Sequence, residues 1–351
     1  MASAKYARVL VYLRRTSHGA YQLAKFDECI LDHLGLAGDD FIKCSLDNNR
    51  LLLQKADENE DESATLGTAV KPTSYRVMHP PFCPIHHLDK EGSEALPEDI
   101  KTRGVDVGVA VLLESSDKRL LLTRRPAHMR TFPGTWVPPG GHIEDGESLV
   151  DAVLRELEEE TGLVVTEEER QSCHILGLWE SVFPPLLSLG HPKRHHVVIY
   201  LHMVLERSSE KLQNQLKLCP EEVDAAMWLS VDLVKLAVWK RGNITEQEQD
   251  SGQGEPSWEE DIGITIVNHE GEHAAGTVEA SVLRESLKAS DLSSQRVSTG
   301  SRFALSLWLE QHLKDPSLPK SVQKELYRDY MNESVTKGDD TSASLKLKSK
   351  F

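Results

Sequence analysis

The chain has 351 residues, enough for about two domains of ordinary size. It contains 56 Asp and Glu against 40 Lys and Arg, a formal net charge of −16. This charge argues against general DNA binding, because nonspecific binding depends on basic side chains that neutralise phosphates. The longest apolar runs, such as 197–205, are much shorter than the roughly 20 residues that a membrane-spanning helix needs, so we expect no membrane partner.

The cysteines bear on the cellular compartment. There are 5, scattered without a pairing rhythm, which indicates reduced thiols and favours the cytoplasm. Residues 1–26 contain Lys and Arg but no Asp or Glu, as in a mitochondrial transit peptide, so the mitochondrion is the alternative location. Cys83, with His86 and His87 nearby, is half of a zinc site, but a structural zinc needs a second pair of ligands, so zinc is the less favoured interpretation. The sequence does not indicate an oligomeric state.

The first predicted unit is a small β-rich module over residues 1–56. Apolar patterns predict strands at 9–13 and 21–26, and a hairpin over 41–54 that turns at an Asp-Asn-Asn triplet. An acidic run then opens a predicted irregular linker over 57–103.

The second predicted unit covers residues 104–240 and carries most of the regular structure. The predicted elements are strands at 107–113, 119–123, 175–183 and 197–204, and a helix at 231–239. Residues 136–138 lead into the glycine-rich loop, and 222–229 are expected to close the unit before the helix.

The rest of the chain is predicted to be less regular. The interval 241–300 begins with a stretch rich in Gln, Glu, Gly and Ser and is predicted to be a mobile linker. A helical segment is predicted over 301–335, followed by a disordered tail over 336–351.

The segment 141–163 places glycine, arginine and carboxylates at fixed intervals. Glycines precede it, Ser148 is suited to start a helix, and Gly162 is suited to stop one, which predicts a helix over roughly 148–161. One face of this helix is apolar at the spacing that packs against a core, and it consists of Val150, Val153, Leu154 and Leu157.

A second face of the same helix carries a dense set of carboxylates. Glu156, Glu159 and Glu160 lie three and four residues apart, so their like charges repel unless a cation neutralises them. Ligands that are all oxygens suit Mg²⁺ or Mn²⁺ better than zinc. Arg155 lies four residues before Glu159 and eight after Glu147, and can orient either carboxylate. An acidic helix face that only meets water is the alternative, and the flanking glycines favour the metal site.

The spacing of the segment matches the box motif of the nudix hydrolase family, and the chain is identified as a member of that family on this resemblance. All constrained positions are filled, namely by Gly141, Glu147, Arg155, Glu156, Leu157, Glu159, Glu160, Gly162 and Leu163. The resemblance implies an α/β fold, a nudix α/β/α sandwich with a mixed sheet. It also implies metal-dependent hydrolysis of a nucleoside diphosphate linked to another group.

The resemblance implies roles for the box residues. Glu156, Glu159 and Glu160 resemble the ligands of Mg²⁺ or Mn²⁺, Arg155 resembles the residue that organises them, and Glu147 resembles an auxiliary carboxylate. The family takes its general base from the box or from a later loop. The candidates, in falling order, are Glu159, Glu180, Glu221 and Glu222.

Basic and glycine residues beside the box are the candidate substrate contacts. Arg124, Arg125 and Arg130 lie before it, and Gly140 and Gly141 form its loop. Arginine side chains suit phosphates because they donate in a bidentate geometry. A second basic island over 193–196 is a weaker candidate for the same task.

The substrate class is left open among several members of the family. Capped messenger RNA, cleaved to release 7-methyl-GDP, ranks first; it needs aromatic stacking, for which Trp136, Trp179 and Phe183 are candidates, although aromatic residues more often pack in a core. Coenzyme A or acyl-coenzyme A ranks second, because 121–141 is similar to a coenzyme A motif, with Pro126 and Pro138 as departures.

Two further alternatives remain. NADH and ADP-ribose rank third as substrates. A non-catalytic binding module is disfavoured, because such modules usually lose a carboxylate of the box, and here all three are kept.

Overall fold

A computed structural model describes residues 8–15, 19–36, 39–56, 74–238, 261–287 and 294–313. The strands are β1 Leu10–Arg14, β2 Gln22–Leu23, β3 Asp39–Asp47, β4 Arg50–Lys55, β5 Ser74–Met78, β6 Asp106–Glu114, β7 Leu120–Arg124, β8 Thr135–Val137, β9 Gly140–His142, β10 His174–Phe183, β11 Arg194–Val204, β12 Ala225–Leu229, β13 Asp261–Val267, β14 His273–Glu279 and β15 Arg296–Val297. The helices are α1 Ile30–Leu34, α2 Lys90–Glu94, α3 Glu98–Lys101, α4 Leu149–Thr161, α5 Glu167–Arg170, α6 Ser209–Gln213, α7 Val231–Val238 and α8 Thr299–Leu313. Within these ranges, no helix has both the length and the apolar character needed to cross a bilayer.

The strands form one mixed sheet. Its main path runs β14-β13-β12-β7-β6-β11-β10-β5-β3-β4-β1-β2, with β8, β9 and β15 attached to it. β6 and β11 are parallel, whereas β10 and β11 are antiparallel. β1 also pairs with β6 through Leu10 and Asp106, so the path from β6 through β11 and β4 returns to β6. The predicted α/β class with a mixed sheet is confirmed.

Helices cover the sheet on two sides, over two separate apolar cores. One core contains α4 residues such as Val153 and Leu157, together with the apolar side chains of the N-terminal strands. The other contains Phe303 and Trp308 of α8 and Val234 of α7. This helix-sheet-helix arrangement is the predicted α/β/α sandwich.

The predicted N-terminal hairpin is confirmed. β3 and β4 pair up to Asp47 and Arg50, and the two residues between them, Asn48 and Asn49, have φ of 43° and 60°. Two successive left-handed residues give the tight turn that follows the twist of a hairpin, and asparagine tolerates that conformation. The turn also reaches the box loop, because Asn49 accepts a hydrogen bond from the backbone N–H of Gly146 at 3.1 Å and donates to the Asp145 carboxylate.

The N-terminal strands are part of the same sheet as the rest of the chain. β3 pairs with β5, and β5 pairs with β10, so the β-rich region over 1–56 continues directly into the second predicted unit. Phe26, Ile30 and Leu31 are buried in the core that also holds α4. The region is therefore rich in strands as predicted, and it shares its core with the box helix.

Two predicted linkers need correction. The interval 57–103 contains β5, α2 and α3, and 241–300 contains β13 and β14, which pair with each other and extend the sheet at β12. The buried Ile262 and Ile264 alternate with the exposed Asp261 and Gly263, and this is the strand signal that the preceding polar stretch obscured. The acidic run 57–62, the stretch 242–260 and the tail 336–351 lie outside the described residues.

Candidate functional site

The box segment folds into a loop, a helix and a sharp exit. α4 begins after Ser148, whose hydroxyl accepts the backbone N–H of Asp151, and ends at Gly162 with a φ of 69°. This agrees with the helix predicted over 148–161. Val153 and Leu157 are fully buried beneath it, so the apolar face fixes the direction in which the carboxylates point.

Three carboxylates meet beside this helix. One oxygen each from Glu156, Glu160 and Glu222 lies within 4.8 Å of the others. Glu160 is only 5% exposed, and among the described residues its Oε2 has no hydrogen-bond partner. Burial raises the pKa of Glu160 well above its usual range, and the charges of Glu156 and Glu222 raise it further. A buried carboxylate oxygen without a proton donor, next to two more carboxylates, fits a divalent cation.

Two glycines make room for this cluster. A Cβ on Gly141 would lie 2.4 Å from the carboxyl atoms of Glu156, and a Cβ on Gly140 would lie 2.1 Å from the carbonyl oxygen of Val109. Both distances are shorter than any contact between non-bonded atoms. Gly141 therefore lies directly against Glu156 of the carboxylate cluster, and Gly140 lies directly against the backbone of β6.

Arg155 holds the acidic residues of the box in fixed positions. Its guanidinium donates to both oxygens of Glu147 at 2.7 and 3.0 Å, to Glu156 at 2.9 Å and to Glu159 at 3.0 Å. It also donates to the carbonyl oxygen of His142 at 2.8 Å. The hydrogen bonds from Arg155 hold the pKa of Glu147 below its ordinary value. All five donor directions suit an organising role that adds no metal ligand.

Glu159 has a different environment from its neighbours. Its side chain is 54% exposed and contacts Arg155, and it is outside the group formed by Glu156, Glu160 and Glu222. Its assignment as a metal ligand stays a prediction. Glu222, which the sequence ranked last among the candidate bases, takes the third position in the cluster, and no spacing rule could have shown this because it comes from a distant loop.

The other candidate bases lie elsewhere. Glu180 is fully buried and accepts the backbone N–H of Ile30, and its other neighbours are His195 and Cys29. Glu221 is exposed, beside Glu222. His195 is buried against Glu180, so the predicted basic island over 193–196 does not present that histidine to a substrate.

The predicted substrate arginines separate into different environments. Arg124 pairs with Asp224 at 2.6 Å, donates to Gln295 at 3.0 Å and stacks over Trp136. Arg130 is exposed. Arg124, the last residue of β7, is therefore held by contacts with Asp224, Gln295 and Trp136.

Arg125 lies next to the carboxylate cluster. Burial lowers its pKa, while the charges of Glu160 and Glu222 act in the opposite direction. Its guanidinium donates to the carbonyl and hydroxyl oxygens of Thr131 at 3.1 and 3.3 Å. Among the three predicted arginines, it has the electrostatic contact with the cluster that a phosphate-binding role requires.

The candidate stacking residues are mostly buried. Trp136 is fully buried in the second core, as the core-packing alternative expects. The rings of Phe183 and Phe132 pack in a T-shaped contact. Trp179 packs on Phe303 and lines a cavity that is open to solvent. The cavity is mainly apolar, with a carboxylate and two arginines at its wall; the lining residues are Met78, Pro80, Pro81, Phe82, Phe132, Thr135, Trp179, Pro185, Glu285, Ser286, Leu287, Arg296, Val297, Ser298, Thr299, Arg302 and Phe303.

Comparison with known proteins agrees with this geometry. The family model of the nudix domain matches residues 104–247. Several similar proteins carry the name m7GpppN-mRNA hydrolase NUDT17. The protein from Danio rerio is 42% identical over 87% of this chain and 96% of its own length, and that from Xenopus laevis is 40% identical over 88% and 97%. The protein from Homo sapiens is 41% identical over 80% of this chain and 81% of its own length. With a complete box, a carboxylate cluster beside it and relatives that match nearly end to end, the chain belongs to the nudix hydrolase family.

Proposed function

We propose that the protein is a decapping enzyme, a nudix hydrolase that cleaves the methylated 5′ cap of messenger RNA and releases 7-methyl-GDP. The observation that carries the substrate is the likeness of about 40% identity, over nearly their whole length, to relatives named m7GpppN-mRNA hydrolase. The carboxylate cluster of Glu156, Glu160 and Glu222 supports the reaction class.

The metal that we propose is Mg²⁺ or Mn²⁺, held by Glu156, Glu160 and Glu222. Hard oxygen donors suit these ions, and the buried Oε2 of Glu160 lacks any other partner. When bound, such an ion neutralises the negative charge of a polyphosphate and lowers the pKa of a water molecule.

The side chains of this site divide the remaining tasks. Water adds across the bond between the phosphate that remains on the RNA and its neighbour, so the products are 7-methyl-GDP and RNA with a 5′ monophosphate. We assign Glu159 as the proton acceptor, because it is exposed beside the cluster and held by Arg155. Glu147 fixes Arg155 from the other side. We assign Arg125 to the phosphate chain, because its charge interacts with Glu160 and Glu222 of the cluster.

The cavity beside Trp179 is our candidate position for the methylated base. A 7-methylguanine ring is flat and cationic, so aromatic walls and a carboxylate complement it. Trp179 and Phe82 provide such walls, and Glu285 is the carboxylate of the lining, which also holds Arg296 and Arg302. This assignment predicts that Glu285→Gln raises KM for capped RNA and leaves KM for ADP-ribose unchanged.

Product analysis tests the proposal. Purified protein is incubated, with Mg²⁺ or Mn²⁺, with capped RNA labelled in the cap, coenzyme A, NADH and ADP-ribose. Release of 7-methyl-GDP with a kcat/KM at least about tenfold above the other substrates is expected. Preferential formation of 3′,5′-ADP from coenzyme A would overturn the substrate assignment, and no turnover of any substrate would overturn the enzymatic assignment.

The matched control pair is Glu160→Gln and Glu158→Gln. Both residues are on α4, but Glu158 is exposed and outside the cluster. Cap cleavage that persists in Glu160→Gln near the rate of Glu158→Gln would contradict the assignment of this cluster as the metal site.

A further inference from the structure

A second group of side chains that can serve as metal ligands lies outside the box segment. Cys29, His79 and Cys83 each present a ligand atom within 4.8 Å of the others. Cys29 comes directly before α1, and the other two come from the loop after β5. All three are buried, with exposures of 3%, 8% and 0%. Two chain segments that are far apart in sequence therefore bring two sulfurs and one imidazole to a single point.

A buried carboxylate faces this group. Oε2 of Glu180 lies 3.3 Å from the sulfur of Cys29 and 3.8 Å from Nδ1 of His79. Its other oxygen, Oε1, accepts the backbone N–H of Ile30 and contacts His195, both at 2.9 Å. Oε1 thus contacts Ile30 and His195, whereas Oε2 is directed at the side chains of Cys29 and His79.

The surrounding contacts orient these groups. His195 has Nε2 against Glu180 and Nδ1 2.7 Å from the carbonyl oxygen of Phe26, so its ring is fixed at both nitrogens. On the outer side, the ring of His86 lies 5.6 Å from that of His79. Metal ligands are commonly oriented by such neighbours, which hold them in place before the ion arrives.

We propose that Cys29, His79 and Cys83 bind a structural zinc ion, with the Glu180 carboxylate as the nearest fourth donor. Two thiolates with an imidazole form a soft donor set that favours zinc over Mg²⁺ or Mn²⁺. The burial of all three residues suits a structural ion, because a catalytic zinc needs an open position for substrate.

A disulfide between Cys29 and Cys83 explains less of the geometry. The two cysteines are free thiols in this structure. A disulfide would give no role to His79 or to the inward-facing oxygen of Glu180, whereas a zinc ion accounts for all four side chains.

The ion would join three parts of the fold. Cys29 belongs to the N-terminal region, His79 and Cys83 follow β5, and Glu180 is in β10 of the hydrolase domain. Since metal binding of this kind contributes directly to folding, the zinc would stabilise the attachment of the N-terminal region to the hydrolase domain.

Metal analysis of the full chain tests the proposal. Protein purified under reducing conditions and dialysed against Mg²⁺ is expected to hold about one zinc per chain, the stoichiometry of a single closed site. Cys29→Ser and Cys83→Ser are expected to lose at least nine-tenths of it, while the control Cys173→Ser keeps it. A wild-type protein that neither contains zinc nor takes it up, or a Cys83→Ser variant that retains it, would overturn the proposal.

Cobalt exchange covers the case in which the cysteine variants do not fold, because it uses only the wild-type chain. Co²⁺ in the site is expected to give intense visible bands of a tetrahedral ion and near-ultraviolet bands of thiolate ligation. Only the weak bands of six oxygen ligands, or a Cys29–Cys83 disulfide in the reduced protein by mass spectrometry, would contradict the site.

The outcome is independent of the proposed function. Glu160→Gln is expected to retain its zinc even if cap cleavage is lost, and a protein that cleaves no cap can still hold zinc.

Discussion

Two clusters of ligand-type side chains differ in almost every property that selects a metal. The box cluster has three carboxylates, one of them on an exposed loop residue, Glu222. The cysteine cluster has two thiols and an imidazole, all buried. An oxygen cluster with one exposed member can admit a phosphate chain and exchange its water, whereas a sulfur cluster with all members buried excludes both. Within a single chain, the type of donor atom and the access of substrate to the ion together separate a catalytic centre from a structural one.

The largest expected effect comes from removing a charge from the box cluster. Glu160→Gln is expected to lower kcat for cap cleavage about a thousandfold, because metal-dependent charge stabilisation provides several kcal/mol. Zinc content and thermal midpoint should stay near those of wild type. Radioactive or fluorescent cap-release assays measure the rate, and a loss of less than tenfold would remove Glu160 from the centre.

Steric pressure on the same cluster should have the next largest effect. In Gly141→Ala the added Cβ would lie 2.4 Å from the Glu156 carboxyl group, so that ligand must move. We expect kcat to fall about a hundredfold, as is usual when a reacting group is displaced by roughly 1 Å. Gly263→Ala is the matched control, since nothing lies within 4 Å of its Cβ position. Equal activity of the two variants would contradict the crowded geometry.

Arg155→Lys tests the orientation of the carboxylates, as distinct from their charge. A lysine keeps the positive charge but cannot donate to Glu147, Glu156 and Glu159 together. Loss of a residue that orients metal ligands typically costs ten- to a hundredfold, and we expect a fall in kcat/KM of about that size. Unchanged Mn²⁺ dependence of the rate would show that Arg155 does not position the metal ligands.

Cys83→Ser is expected to lower stability and to leave the rate of cap cleavage nearly unchanged, the opposite of the box variants. The free energy of unfolding should fall by at least about 2 kcal/mol, because a metal that helps folding is lost. The folded fraction should cleave caps within about twofold of the wild-type rate, since Cys83 belongs to the cysteine cluster and not to the box. Urea titration and single-turnover rates measure the two quantities, and a stable but inactive variant would contradict the division of roles.

Glu169 provides the smallest effect and a reference that is outside both clusters. Burial alone would raise its pKa, but hydrogen bonds from the Thr166 backbone and from Arg207 outweigh it and lower the pKa. The resulting stabilisation is present above the unfolded pKa, about 4.3, and is lost as the pH falls through the lower folded pKa. Glu169→Gln should therefore cost about 1 to 2 kcal/mol at pH 7, and the difference should shrink below pH ~4.

Glu168→Gln is the control for this measurement, since Glu168 is exposed on the same short helix. Chemical denaturation across a pH series gives both curves. A difference between Glu169→Gln and wild type that grows toward low pH would contradict the sign of the shift.

Local patterns predicted the local structure. The box sequence predicted the helix between the capping residues Ser148 and Gly162, because capping and apolar spacing depend on residues within one or two turns. The hairpin turn at Asn48 and Asn49 was readable for the same reason. The strands 261–267 and 273–279 were missed, since short strands gain most of their stability from a neighbouring strand, which is β12 for the first and β13 for the second.

Contacts between distant segments could not be predicted in the same way. Glu222 joins Glu156 and Glu160 only because the loop before β12 passes beside α4. From the sequence, Cys83 with His86 and His87 is half of a zinc site, whereas the structure groups Cys83 with Cys29 and His79, and His86 with Cys29 and Asp32. Such groupings depend on which strands are neighbours in the sheet, a property that spacing along the chain does not record.

The hairpin turn at Asn48 and Asn49 sets a limit on how far the catalytic part can be shortened. Asn49 holds the loop residues Asp145 and Gly146 directly before the helix that carries the acidic side chains. A fragment that begins at residue 104 would contain the entire box, yet it would lack this brace and the N-terminal side chains of the shared core. We therefore expect the smallest active fragment to be larger than the region that the family motif defines.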